Sequence, residues 1–131
     1  MLVIKWNLPS TMVNTKELGD IGESIACDTL RNNGYKILRR KYIFNRAEVD
    51  IVAEKDNLII FVEVKTRISS YLTDPSLLVS LGKQKQVIRA ADQYIKDFYP
   101  DNEWRFDIMV VITNSDYTSI EHIEDAFYPM V

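Results

Sequence analysis

The chain is poor in the residues that build most metal and redox sites: it has 131 residues, with a single cysteine, Cys27, and a single histidine, His122. One cysteine excludes an internal disulfide framework and a cysteine-based zinc site, and it suits a reducing compartment. One histidine excludes a multi-histidine centre. Any metal must therefore sit among carboxylates and carbonyls, which favours a hard ion such as magnesium or manganese. Glycine and proline are also scarce, four of each, and no repeat, low-complexity tract or linker interrupts the chain. One domain over 1–131 is the economical reading. There is no long apolar run either. The stretch through Val13 is too short and too polar for a signal peptide or a spanning helix, so no membrane partner and a cytoplasmic location are expected.

With 47% hydrophobic and 27% charged residues, the composition is that of an ordinary globular domain. The net charge of −3 is unlike a general nucleic-acid coat protein, but the charge is unevenly placed. Five basic residues and no acid lie between Lys36 and Arg46, and four acids and no Lys or Arg follow from Asp116. Such a basic run permits a local phosphate-binding surface, or it is solvated charge on a strand.

Residues 1–13 read as an arm or as a strand docked on a sheet edge. Asn14 and Glu17 form a capping box ahead of a helix over 15–33, with Leu18, Ile21, Ile25 and Leu30 at helical spacing and Gly34 as its stop. Strands are predicted over 35–43, 47–54 and 58–66, the last two joined by a tight turn at Asp56–Asn57. A loop with a short helix spans 67–82. A second helix over 83–98 presents Val87, Ile88, Ala91, Tyr94, Ile95 and Phe98, and strands over 104–113 and 118–123 complete an α+β or α/β sandwich on a mixed sheet.

The chemistry lies in the hairpin. Alternation puts Glu48 and Asp50 on one face and Val49 and Ile51 on the other, and Glu63 and Lys65 share a face of the next strand. A two-residue turn at Asp56–Asn57 pairs positions that sum to 113. Asp50 then faces Glu63, and Glu48 faces Lys65, at Cβ separations of roughly 5 Å. Two facing carboxylates repel unless a cation or a proton lies between them. The pattern alone leaves two readings open, a metal site or a solvated face with a Glu48–Lys65 ion pair. Glu23, flanked on its helix by Gly19, Ala26 and Cys27, is either a further carboxylate reaching toward the sheet or a surface residue. His122 is expected to be a structural or surface residue, Tyr94 and Phe98 core, Cys27 packed, and Arg105 and Asp107 either a simple ion pair or a brace for the site.

Five ordered blocks carry a resemblance: Gly19-x-x-Gly22-Glu23, Ala47-Glu48-Val49-Asp50-Ile51-Val52, Phe61-Val62-Glu63-Val64-Lys65-Thr66-Arg67, Lys83-Gln84 and Arg105-Phe106-Asp107. Over about Lys16 to Val111 the chain resembles the YraN-type family of small bacterial proteins. That family is placed in the PD-(D/E)XK nuclease superfamily near the Holliday-junction resolvases. The sequence departs from the family pattern at Ala47, where glycine is usual, and at Lys41, where asparagine is usual. No proline precedes Asp50.

The resemblance implies a restriction-endonuclease-like α/β/α sandwich and a magnesium- or manganese-dependent endonuclease acting on DNA, including structured or branched DNA. It implies that Asp50 and Glu63 bind the metal with the Val64 carbonyl, and that Glu23 completes or orients the shell. Lys65 would position the attacking water and stabilise charge on the phosphate. Glu48 would support the ligands from behind or pair with Lys65. Lys83, Gln84, Arg39, Arg40 and Arg67 are the expected substrate-binding residues, and a homodimer is the assembly known among junction-cutting relatives. The competing expectation is a nucleic-acid-binding accessory module with little or no catalysis.

Overall fold

A computed structural model describes residues 2–4, 14–69 and 79–129. Most of the expected N-terminal arm, Trp6 included, lies outside the described residues, as does 70–78, where most of the expected loop and its short helix fall. The elements run β1 (Leu2–Ile4), α1 (Thr15–Asn32), β2 (Lys36–Phe44), β3 (Ala47–Lys55), β4 (Leu58–Arg67), α2 (Leu81–Phe98), β5 (Trp104–Thr113) and β6 (Thr118–Phe127). They form one six-stranded sheet in the order β1-β6-β5-β4-β3-β2. β4 and β5 are parallel, with α2 between them in the chain, and every other pair is antiparallel.

Each sheet face has its own core. Val52, Ile59, Phe61, Phe106, Ile108 and Val110 pack with Val87, Ala91 and Tyr94 of α2. Ile51, Ile60, Val62, Met109 and Val111 pack with Ala26, Cys27 and Leu30 of α1. Burial on both faces explains why 59–62 and 108–112 are unbroken apolar runs rather than alternating ones. The result is a restriction-endonuclease-like α/β/α sandwich on a mixed sheet.

Local chemistry sets the boundaries. The Asn14 side chain accepts from the Glu17 N–H at 2.8 Å and donates to the Glu17 carboxylate at 3.0 Å, which caps α1. Gly34, at φ +89°, turns the chain into β2. α2 begins two residues before the expected start, because the Ser80 hydroxyl takes the Lys83 N–H and serves as the N-cap. β6 runs on past 123, since a register shift opposite Phe106–Ile108 lets the ladder resume at Phe127. Asp125, at φ +52°, sits in that irregularity.

The stripe predicted for α1 is rotated. Leu18, Ile21 and Ile25 are only half-buried, while Gly22, Glu23, Ala26, Cys27 and Leu30 face the sheet. Gly22, Ala26 and Cys27 suit that face because the helix lies close to β4. Phe98 is not core either. It is 49% exposed, with the Arg39 guanidinium 5.2 Å above its ring.

Candidate active site

Asp56 and Asn57 both take positive φ, +52° and +65°, so they form the central pair of a type I′ turn. Lys55 then pairs with Leu58, and the β3–β4 ladder keeps positions summing to 113 as far as Ile51↔Val62. There it stops. Beyond that point β3 stays paired with β2 and β4 with β5, so a fork opens between the two central strands. Asp50 is the first residue in the fork. It is also missing from the ladder with β2, which passes from Arg40↔Ile51 to Tyr42↔Val49. The residue skipped on that side, Lys41, has φ +52°, a backbone state that asparagine adopts more readily than lysine.

The unpaired step at Asp50 breaks the alternation. Val49 packs in the α2-side core and Ile51 in the α1-side core, so the two do not share a face as simple alternation predicts. Freed from both ladders, the Asp50 carboxylate turns into the fork and accepts the Val64 N–H at 2.8 Å. Because N–H and C=O of an extended residue point to the same side, the Val64 carbonyl faces the fork as well. The end of the ladder also undoes the expected Glu48–Lys65 pairing. Glu48 lies opposite Ile43 of β2, and among the described residues no ion pair joins it to Lys65.

Asp50 and Glu63 lie close enough for the charge of one to act on the other. Glu63 is 2% exposed, and its Oε1 is buried without a hydrogen-bond partner. Burial first, then the Asp50 charge, push the Glu63 carboxyl up to about 8, against the pull of Lys83 and Lys65. Burial raises Asp50 too, opposed by the Val64 amide and reinforced by the charges of Glu23 and Glu48. Ionising both acids is therefore unfavourable unless a cation lies beside them.

Lys83, at the third position of α2, donates to the Glu48 carbonyl at 2.9 Å, with its Nζ 4.0 Å from Glu63 Oε2. Lys65 is half-buried beside the pair. Glu23 is buried and near enough to act on Asp50, yet its carboxylate is taken by Arg40 at 3.3 Å and Lys41 at 3.1 Å. Among the described residues no three of His, Cys, Asp and Glu converge as a ready-made cage. A magnesium-type ion, however, needs only one or two carboxylates and keeps its own waters. Asp50, Glu63 and the Val64 carbonyl are an all-oxygen set with an unpartnered buried oxygen, and they fit such an ion.

The other expected residues are dispersed. Arg40 lies against Glu23 and Ser24 of α1, whereas Arg39 lies across the sheet over Phe98. Gln84 donates to the Val79 carbonyl at 3.0 Å, and Arg67, exposed at the end of β4, donates to the Thr66 carbonyl. Asp107, fully buried, takes Arg105 through two bonds of 2.8 Å, His122 Nε2 at 2.7 Å and the Asp125 N–H. Burial pushes Asp107 up, and those partners outweigh it and hold it low. His122 and Arg105 are thus structural partners of one buried acid. Cys27 is buried, and desolvation raises its thiol. Arg46, which closes the basic run of the sequence, gathers with Gln86 and Arg89 where the β2–β3 turn meets α2. The sequence reading missed Gln86 and Arg89, whose spacing of three was their only trace.

The model of the uncharacterised protein family UPF0102 matches residues 22–111. A UPF0102 protein from Flavobacterium johnsoniae is 42% identical over 121 residues, covering 89% of this chain and 98% of that protein. One from Bacteroides thetaiotaomicron is 43% identical over 118 residues, covering 90% and 98%. One from Chlorobium chlorochromatii is 38% identical over 121 residues, covering 88% and 94%.

Proposed function

The chain belongs to the uncharacterised protein family UPF0102, the YraN-type family of the sequence resemblance, and we propose that it hydrolyses DNA phosphodiester bonds at the Asp50–Glu63 fork with a bound divalent metal. The observation that carries this is the buried, partnerless Oε1 of Glu63 beside a second carboxyl group. Such an arrangement costs stability in the resting fold and is sensible where a cation recovers it.

Asp50, Glu63 and the Val64 carbonyl would hold magnesium or manganese. When bound, the ion neutralises phosphate charge and lowers the pKa of a coordinated water. The Val64 N–H fixes one Asp50 oxygen and so aims the other. Arg40 and Lys41 hold the Glu23 carboxylate on the α1 side of the fork, where its charge favours a cation there. Lys65 and Lys83 offer two ammonium groups beside the acids, placed to carry negative charge that builds on a phosphate. Structured or branched DNA is the substrate to try first.

The test is metal titration by calorimetry on the wild type and Asp50→Ala, with DNA cleavage in magnesium, manganese and chelator. Metal uptake and cleavage that both vanish with Asp50 support hydrolysis. The engagement of Glu23 by Arg40 and Lys41, which leaves two acids in the fork, favours a second reading, an accessory module that binds nucleic acid without cutting it. DNA binding that survives Asp50→Ala and Glu63→Ala, with no turnover by the wild type, would select that reading.

A further inference from the structure

A cavity of about 460 Å³ opens where the β2–β3 turn meets the middle of α2, lined by Phe44, Asn45, Arg46, Ala47, Gln86 and Arg89. Two guanidinium groups and two side-chain amides share it, and no carboxylate lines it. Among the described residues neither arginine forms an ion pair, although Arg31, Arg40, Lys41, Lys83, Lys96 and Arg105 each have an acid within reach. In a chain of net charge −3, two arginines that converge from separate elements on one cavity with no carboxylate in its lining suit an anion. Guanidinium suits a phosphate because its planar fork binds two oxygens at once.

The cavity is also aligned with the fork. Ala47 lines it and is the start of β3, three residues before Asp50, or about 10 Å of strand. Ala47 packs in the α2-side core, and Lys83, reaching Glu63 and the Glu48 carbonyl, comes from the first turn of the same helix. Lys83, Gln86 and Arg89 follow one another at intervals of three along α2, so the helix that serves the fork also supplies the cavity.

We propose that Arg46, Arg89 and Gln86 hold a backbone phosphate of the DNA strand engaged at the Asp50–Glu63 fork, a few nucleotides from the bond that reacts. This rests on the reading of the fork as a DNA-cleaving centre. The phosphate site fixes where the strand lies along α2. It takes over the role that the sequence assigned to Arg39 and Arg40.

Fluorescence anisotropy with a labelled DNA duplex, in chelator and over a series of potassium chloride concentrations, tests it on the wild type, Arg46→Ala/Arg89→Ala and, as a charge-matched control, Arg31→Ala/Lys96→Ala. At low salt the first double variant is expected to bind at least about tenfold more weakly. Its slope of log K against log salt should fall by about two, at about 0.9 per lost contact. The control should bind like wild type. An unchanged slope for Arg46→Ala/Arg89→Ala, or an equal loss in the control, overturns the inference. If Asp50→Asn abolishes metal-dependent cleavage while that slope is unchanged, the fork reading stands and the phosphate site falls. If the slope drops and the wild type cuts no DNA with any metal, the phosphate site stands and the catalytic reading falls.

Discussion

Gly22 of α1 lies directly against Thr66 of β4, so that a Cβ at position 22 would come within 2.7 Å of the Thr66 methyl and 2.8 Å of its Cβ. Gly19, one turn earlier, has nothing within 4 Å of the same position. The contact sets how closely α1 approaches the sheet, and so where Glu23 sits relative to the fork.

These two glycines predict opposite outcomes for one substitution. Gly22→Ala overpacks the helix–sheet contact and should cost about 1–3 kcal/mol. Gly19→Ala meets open space and should gain up to about 1 kcal/mol from helix propensity. Urea denaturation of the two variants checks both signs.

The turn predicts that register governs the site. Asn57→Val forces a β-branched residue to φ +65° and should destabilise by about 1–3 kcal/mol. One glycine inserted between Asp56 and Asn57 would shift the β3–β4 pairing by a residue and turn Asp50 away from Glu63. A folded insertion variant, confirmed by circular dichroism, should take up no magnesium in calorimetry. Wild-type affinity would show that the pairing does not matter.

The raised Glu63 carboxyl predicts an unusual pH dependence of stability. Between its ordinary value of 4.5 and its folded value of about 8, the folded chain keeps a proton that the unfolded chain has lost. Metal-free protein should therefore lose stability as pH rises through that window and level off above it, since stability falls wherever the folded state binds more protons. Glu63→Gln should flatten the curve. Saturating magnesium should do the same by favouring the ionised pair. Chemical denaturation from pH 5 to 9 gives the slope.

Lys65 and Lys83 predict a split between rate and affinity. Lys65→Met should slow single-turnover cleavage by about 10²–10³-fold, with a much smaller change in DNA affinity, because its charge matters most as the phosphate gains charge. Lys83→Met should act in the same direction. Loss of affinity equal to loss of rate would make both residues binders only.

Much of the site was legible in the sequence because hairpin geometry is local. The Asp56–Asn57 pair fixed the turn, and the turn fixed the sum of 113 that holds from Lys55↔Leu58 to Ile51↔Val62, one step short of Asp50 and Glu63. The cap at Asn14 and the stop at Gly34 were equally plain, since each depends on neighbours a few residues away. Less could be read of α1, because periodicity cannot show that a helix lies too close to a strand for a large side chain. Arg39 and Arg40 read as one basic patch, yet as neighbours on one strand they point to opposite faces of the sheet, Arg39 over Phe98 and Arg40 against Glu23.

The order of residues alone determined the element sequence, the caps of α1 and the hairpin turn with the pairing that runs from it, all of which follow from contacts within or between adjacent segments. Only the tertiary structure decided that the β3–β4 ladder ends at Ile51↔Val62, that Glu23 is drawn off by Arg40 and Lys41, and that Arg46 meets Arg89. Those outcomes depend on sheet twist and on packing between segments far apart in the chain, which the pattern of a single strand or helix does not encode.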